Sequence, residues 1–302
     1  KTQKDFLISN LNYYRLLPNL NTDIDNKDSQ NFLKTFQSAC EEIAFNFVDK
    51  YKSKTIALSG GVTQNILINS HLTKTGNKIL ANPLCSDEGV SIGALYYYTQ
   101  GKLKNRDTLY LGFNPEYNLD VFKGYKIIDI TVEEVAKIVN KEPVALFQGP
   151  SEQGQRGLGN RSLLMNAFDR DCLNKINLIK KREWYRPFAC SILKEKLKEW
   201  FYDIGVDNSY MMFVLKSKKN LKNVVSKDNL CRVQSVDIDQ NYHYYNLLRQ
   251  YNMIYKTPLL LNTSLNMPGH TLVETLDDLR YMFEHTELKY AWLPELQKLI
   301  LK

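Results

Sequence analysis

Between residues 29 and 51 apolar side chains recur every three or four positions, at Phe32, Leu33, Phe36, Ala39, Ile43, Ala44, Phe47 and Val48. That spacing predicts an amphipathic helix, with Asp28 or Ser29 placed to cap its start. The pattern then switches to short β-type runs. A strand is predicted over 55–58, breaking at Ser59-Gly60-Gly61 before a helix from near Thr63. A second strand over 78–81 leads through a loop at 83–89 into a small-residue helix over 90–98. Turn-rich sequence at 101–118 predicts a linker. Beyond it strand and helix signals alternate, with strands at 127–130, 143–147, 211–215, 230–236 and 259–261. Helices are expected at 132–139, 194–201, 241–251 and 276–283, and no internal repeat occurs.

Composition bounds this picture. With 302 residues and 43% hydrophobic content the chain can fill two cores. A net charge of +7, spread along the chain, suits anionic small molecules, and nucleic acid is not the expected partner. The five cysteines are far apart and form no CxxC pair, which argues for reduced thiols in a cytoplasmic protein and against a thiolate zinc site. No apolar stretch has bilayer-spanning length, so no membrane partner is expected, and KTQKDFLISN has no signal-peptide pattern. The chain begins with Lys1 instead of Met, which makes a fragment or a processed form an expectation.

The chemistry concentrates in residues 148–193. Gly154, Gly157 and Gly159 are expected to let backbone N–H groups approach a ligand, beside Arg156, Arg161, Lys180, Arg182 and Arg186 as donors to phosphate or carboxylate oxygens. The alternative is a solvated basic face, which would interleave its cations with acids. Here Glu183 is the only carboxylate between Asp171 and Glu195, and Trp184, Tyr185 and Phe188 stand among the cations. Further on, residues 261–269 read as a strand opening into a loop of two hydroxyls and two amides, able to present neutral donors to an anion.

The segments ALSGGVTQN, NPLCSDEGVSIGA, GQRGLGNRS, INLIKKREWYRPFACSIL, CRVQSV and LLLNTSLNMPG, in this order, resemble the O-carbamoyltransferase family of nodulation and antibiotic-tailoring enzymes. The resemblance runs from about Ser29 to the chain end. It implies an α/β (α+β) protein: residues 1–113 as the C-terminal part of an actin-like, ATPase-type domain for metal-dependent carbamoyl transfer, and 114–302 as a YrdC/Sua5-like domain with a twisted mixed sheet. That second domain would join carbamoyl phosphate and ATP into carbamoyl adenylate, and the first would pass the carbamoyl group to the hydroxyl of a small molecule or glycan.

Position by position, Lys180 and Arg182 resemble the family's cationic K-x-R pair, and Ser264 and Asn266 its Ser-x-Asn loop. Arg156, Asn160, Arg161, Arg232 and Asn262 match further motif positions, while Gly60, Gly61 and Asn65 would hold the nucleotide. Asp87 matches a metal-ligand aspartate for a divalent ion, Fe²⁺ ahead of Mg²⁺ or Mn²⁺. The family's partner histidines come from earlier in that domain, and His71, His243, His270 and His285 lack the spacing to replace them. Gln155 and His270 stand where the family tends to have proline and glutamate. A homodimer, or a partner polypeptide supplying the missing N-terminal half, is the expected remedy. Two other readings are a YrdC-like adenylate former serving tRNA modification, and a non-catalytic nucleotide-binding subunit of a full-length partner.

Overall fold

A computed structural model describes residues 26–102, 108–183 and 185–302. Trp184, the first 25 residues and part of the expected linker lie outside the described residues. Two compact units part at Asn82–Pro83, earlier than the expected boundary at 113, and the described residues from 108 to 118 cluster with the second unit.

In the first unit α1 (Lys27–Val48) and α2 (Ile66–Leu72) pack together, and β1 (Thr55–Leu58) pairs in parallel with β2 (Lys78–Ala81). Asn26, not Asp28 or Ser29, caps α1, its side chain accepting from the Asp28 and Ser29 amides at 2.9 and 3.2 Å. The apolar stripe is only partly covered: Ala39 and Val48 join Ile68, Leu72 and Ile79 inside, while Leu33, Phe36, Ile43 and Phe47 stay exposed.

The second unit opens with α3 (Val90–Tyr98) and is built on nine strands in one mixed sheet. In chain order these are β3 (Lys126–Asp129), β4 (Val144–Phe147), β5 (Arg161–Met165), β6 (Ala189–Leu193), β7 (Val214–Lys216), β8 (Leu230–Val236), β9 (Leu259–Ser264), β10 (Tyr290–Leu293) and β11 (Lys298–Leu301). Their spatial order is β3-β11-β10-β4-β5-β9-β6-β8-β7, with only β10/β4 and β6/β8 parallel. Both faces are covered, so β4 is buried at every position and reads as a continuous apolar run, while β5, equally buried, begins with the polar pair Arg161 and Ser162 before Leu163, Leu164 and Met165. On one face lie α5 (Cys172–Lys180) and α8 (Leu276–His285), with Ile176, Ile179, Leu279 and Phe283 against Phe147, Leu163 and Leu261. On the other lie α4 (Val132–Val139) and α7 (Tyr242–Tyr255), with Val135, Tyr244 and Leu248 against Leu146, Leu164 and Leu260, and α6 (Leu197–Trp200) is a single turn after β6.

Several elements differ from the sequence expectation. Within the basic run, where no strand or helix was expected, β5, α5 and β6 form. Strand β9 runs on through Ser264, because Asn262 and Thr263 keep the ladder with β5 (Leu164 opposite Asn262, Leu163 opposite Thr263). The expected linker contains buried Leu109, and Tyr110 pairs with Glu152 as an isolated bridge. The strand expected from 211 begins at Val214, after Met211 has taken a left-handed φ of 59°. Among the described residues no helix is long and apolar enough to cross a membrane.

Gly159 shows how tightly the loop before β5 is laid down. Its φ is +112°, and a Cβ there would come within 2.3 Å of the Tyr244 ring. Gly159→Ala therefore meets both a steric clash and an unfavourable backbone region. It is expected to lower stability by at least about 2 kcal/mol, measured by urea unfolding of the parent and variant chains.

Candidate functional site

Helix α5 ends on Lys180, which is 4% exposed, and the following Lys181 turns left-handed at φ 44°. The turn delivers the ammonium to the end of β9. Its Nζ donates to the Ser264 carbonyl at 2.7 Å, to the Asn266 carbonyl at 2.8 Å and to Asn266 Oδ1 at 2.6 Å. Ser264 Oγ donates to the same Oδ1 at 2.8 Å. Lys180, Ser264 and Asn266, singled out separately from sequence, thus meet in one cluster. A cation at a helix C-terminus also complements the helix dipole.

Three arginines share this neighbourhood. Burial lowers Arg182, Arg232 and Arg156 alike; Arg156 and Arg182 add to the lowering at Arg232, which falls to about 9. Arg182 lies over the Phe188 ring at 4.9 Å from its centroid. Arg232 projects from β8, and Arg156 from the loop between β4 and β5. Among the described residues none of Arg156, Lys180, Arg182 and Arg232 forms an ion pair with a carboxylate. Glu88 near Arg156 and Glu183 near Arg182 oppose these charges only in part, and like charges gathered in this way make a field that an anion relieves.

Other expected site residues sit elsewhere in the architecture. Arg161 is fully buried: Nη1 donates to the Gln148, Gly149 and Asn160 carbonyls at 2.5, 3.0 and 3.0 Å, and Nη2 to the Glu274 carbonyl at 3.1 Å. Its guanidinium also stacks 3.8 Å from the Phe147 centroid, so its donors hold framework carbonyls. Asn160 spans the Pro150 carbonyl and the Asn241 amide at 2.7 and 2.9 Å. Asn262 donates to Gly157 O, Ser191 Oγ and Gln234 Oε1 at 3.0, 2.8 and 3.1 Å, part of a buried polar row across β9, β6 and β8. Gln234 extends that row to the Leu158 carbonyl at 2.7 Å.

Around Gly159 the loop differs from expectation. The amides of Leu158, Asn160 and Arg161 all donate to Glu152 Oε1, and that of Gly159 donates to Ser162 Oγ. These donors serve the protein itself and are not offered to a ligand. Gly157 is required for close packing, since a Cβ would lie 2.7 Å from the Arg161 carbonyl oxygen and 2.8 Å from Ser264 Cα. Glu152, Gln148, Ser191, Gln234 and Asn241 were missed from sequence. For Ser191 and Gln234 the available signal was a polar residue among apolar neighbours, as in CSIL and RVQSV, whereas Glu152 and Asn241 stand in polar stretches that offered none.

In the first unit Gly60 turns the chain at φ +93°, and Gly61 opens a short 3-10 turn. The helix expected from Thr63 begins at Ile66 because Asn65 caps it, accepting from Ile68 N at 3.3 Å and exchanging hydrogen bonds with Gln37 at 2.9 and 3.2 Å. Asp87, in the second unit, is exposed at the start of another 3-10 turn. Among the described residues no three His, Cys, Asp or Glu side chains are grouped to hold a metal ion. Asp87 alone, a single carboxylate, does not fit a divalent site. Neighbouring Glu88 instead accepts from Gln153 Nε2 at 2.8 Å through its carbonyl, tying this turn to the glycine loop. A hollow of about 580 Å³ lined by His243, Arg249 and Trp292 holds none of the expected site residues.

Fold and site together define a mixed α/β protein with a half-buried cluster of unpaired cations beside a Ser-x-Asn turn. Residues 135–298 match the family model for the carbamoyltransferase C-terminus, and residues 3–96 that for the carbamoyltransferase N-terminus. The chain belongs to the carbamoyltransferase family, and its domains are those of a transferase. It is 30% identical over 84% of its length to nodulation protein NolNO of Sinorhizobium fredii, covering 42% of that protein. The same identity and coverage hold for nodulation protein NolO of Bradyrhizobium diazoefficiens, of which 52% is covered. Nodulation protein U of Azorhizobium caulinodans is 30% identical over 72% of this chain and 40% of its own. The chain thus spans about half the length of these curated relatives or less. A solved structure of full-length HypF in phosphate- and nucleotide-bound form gives a TM-score of 0.40 at 17% identity, over 53% of this chain and 21% of that one.

Lys180 gives the cluster a pH dependence. Burial, then Arg182 and Arg186, pull its ammonium down from 10.5 to about 7. The charge is complete below pH 7 and is lost above it, so anion affinity is expected to fall as pH rises through 7. Folding responds with the opposite sign: between about 7 and 10.5 the unfolded chain binds more protons, so Lys180's contribution to stability grows with pH. Sulfate, whose charge is constant over this range, is expected to bind roughly fivefold or more weakly at pH 8.5 than at pH 6 by titration calorimetry. Lys180→Arg is expected to flatten that profile, since even a buried guanidinium here, as at Arg232 with its value of about 9, keeps most of its charge at pH 8.5.

Proposed function

We propose that the second unit activates a carbamoyl group for transfer to an acceptor hydroxyl, using carbamoyl phosphate and ATP. The observation that carries this reading is the meeting of Lys180 with Ser264 and Asn266 beside Arg156, Arg182 and Arg232, in a chain of the carbamoyltransferase family. Both substrates are polyanions carrying transferable groups, and a cluster of cations without carboxylate partners suits them.

Atom balance fixes the outline. Carbamoyl phosphate, ATP and one water give carbamoyl adenylate, phosphate and pyrophosphate. Water releases the phosphate, and an oxygen of the resulting carbamate attacks the α-phosphorus of ATP while pyrophosphate leaves. The arginines and Lys180 would hold the phosphate oxygens, lower the repulsion between the two anions and align them. Ser264 Oγ and the Asn266 amide, at the same turn, would orient the carbamoyl oxygens. A hydroxyl then attacks the carbamoyl carbon of the adenylate, its proton departs and AMP leaves. The acceptor proposed is a small molecule or glycan, with a second copy or a partner polypeptide contributing to that step.

The parent chain is expected to catalyse exchange of labelled pyrophosphate into ATP when carbamoyl phosphate is present. Arg182→Ala and Lys180→Ala should each reduce the exchange by about 100-fold or more. A melting curve accompanies each variant, because Lys180 also ties α5 to β9. Near-normal exchange in both variants would refute the reading.

A further inference from the structure

Glu152 is 4% exposed, and one of its carboxyl oxygens does an unusual amount of bonding. Oε1 accepts from the amides of Leu158, Asn160 and Arg161 at 2.6, 2.7 and 3.2 Å. Oε2 has no hydrogen-bond partner. The backbone on either side of Glu152 is pinned as well: Gln153 N donates to Leu109 O at 2.8 Å, and Gly112 N donates to Ser151 O at 3.1 Å. The segment from Gln153 to Gly157 is therefore a short loop whose two ends are closed by one side-chain oxygen. Arg156 sits within that loop, and its charge is felt at both Arg182 and Arg232.

We infer that Glu152 is a positioning residue, whose carboxyl clasps the 153–157 loop and so holds Arg156 beside Arg182 and Arg232 for anion binding. The inference rests on reading the cationic cluster as an anion site. Three convergent N–H groups are a ready-made anion cradle, and here the chain fills it with its own carboxyl oxygen. The cradle consequently supplies loop geometry, and anion capture passes to the side chains. Burial pushes the Glu152 carboxyl above the ordinary glutamate range, so the neutral amide of glutamine, with an oxygen in the same place, is a close substitute. Aspartate is not, because a side chain one methylene shorter withdraws the acceptor by about 1.5 Å.

The test measures pyrophosphate affinity by calorimetry for the whole chain with E152Q, E152D, R156A and the E152D/R156A pair, alongside melting temperature. E152D is expected to weaken binding about tenfold, as misplacing one charged contact would. E152Q should bind within about twofold of the parent. In the R156A background E152D should cost no further affinity, although it still lowers the melting temperature. Equal binding by E152D and the parent overturns the inference, and so does an E152D loss of the same size with or without Arg156. Absence of pyrophosphate binding by the parent chain defeats the anion-site reading itself, and this inference with it.

Discussion

A single buried ammonium joins the two parts from which the site is made. Lys180 closes α5 and binds three oxygens at the end of β9. The helix lies on one face of the sheet, so this contact fixes where its C-terminal turn, and with it Arg182, meets the strand ends. A buried cation without such acceptors would be costly. With them, its nitrogen is held in one place beside a cluster of arginines.

The same need to satisfy buried polar groups shapes the loop between β4 and β5. Glu152 takes three amides, Ser162 takes one, and Arg161 spreads its donors over four carbonyls. Asn262, Ser191 and Gln234 form a second network beneath it, tied to Gly157 and Leu158. These groups are interior, and their work is to give an irregular loop one geometry. The charges that remain unpaired, Arg156, Arg182 and Arg232, are those carried on its rim and on neighbouring elements.

Legibility from sequence followed the range of the interactions. Helix and strand periodicity depends on near neighbours, and β1, β2, α3, α4 and β8 stand at the expected positions. Strands β5 and β6 were missed because glycines and cations surround them and both pair with β9, which is distant in sequence. At the site, the segregation of cations from acids was visible in 148–193, and Lys180, Ser264 and Asn266 were singled out before their contact was seen. Arg161 and Arg156 were indistinguishable as letters. Their separation into a framework residue and a rim cation depends on burial, which no local spacing encodes.

The sequence by itself determined the alternation of strands and helices, the placing of glycines where a side chain would not fit, and an excess of positive charge with few acids nearby. Each is written in residues adjacent along the chain. Only the tertiary structure decided that the amides of Leu158, Asn160 and Arg161 turn inward to Glu152, and which of the arginines hold carbonyls. It alone brought Lys180 to a turn more than eighty residues away. The physical reason is that hydrogen-bond partners and burial belong to packed space, and a chain reveals them only after its faces have been covered.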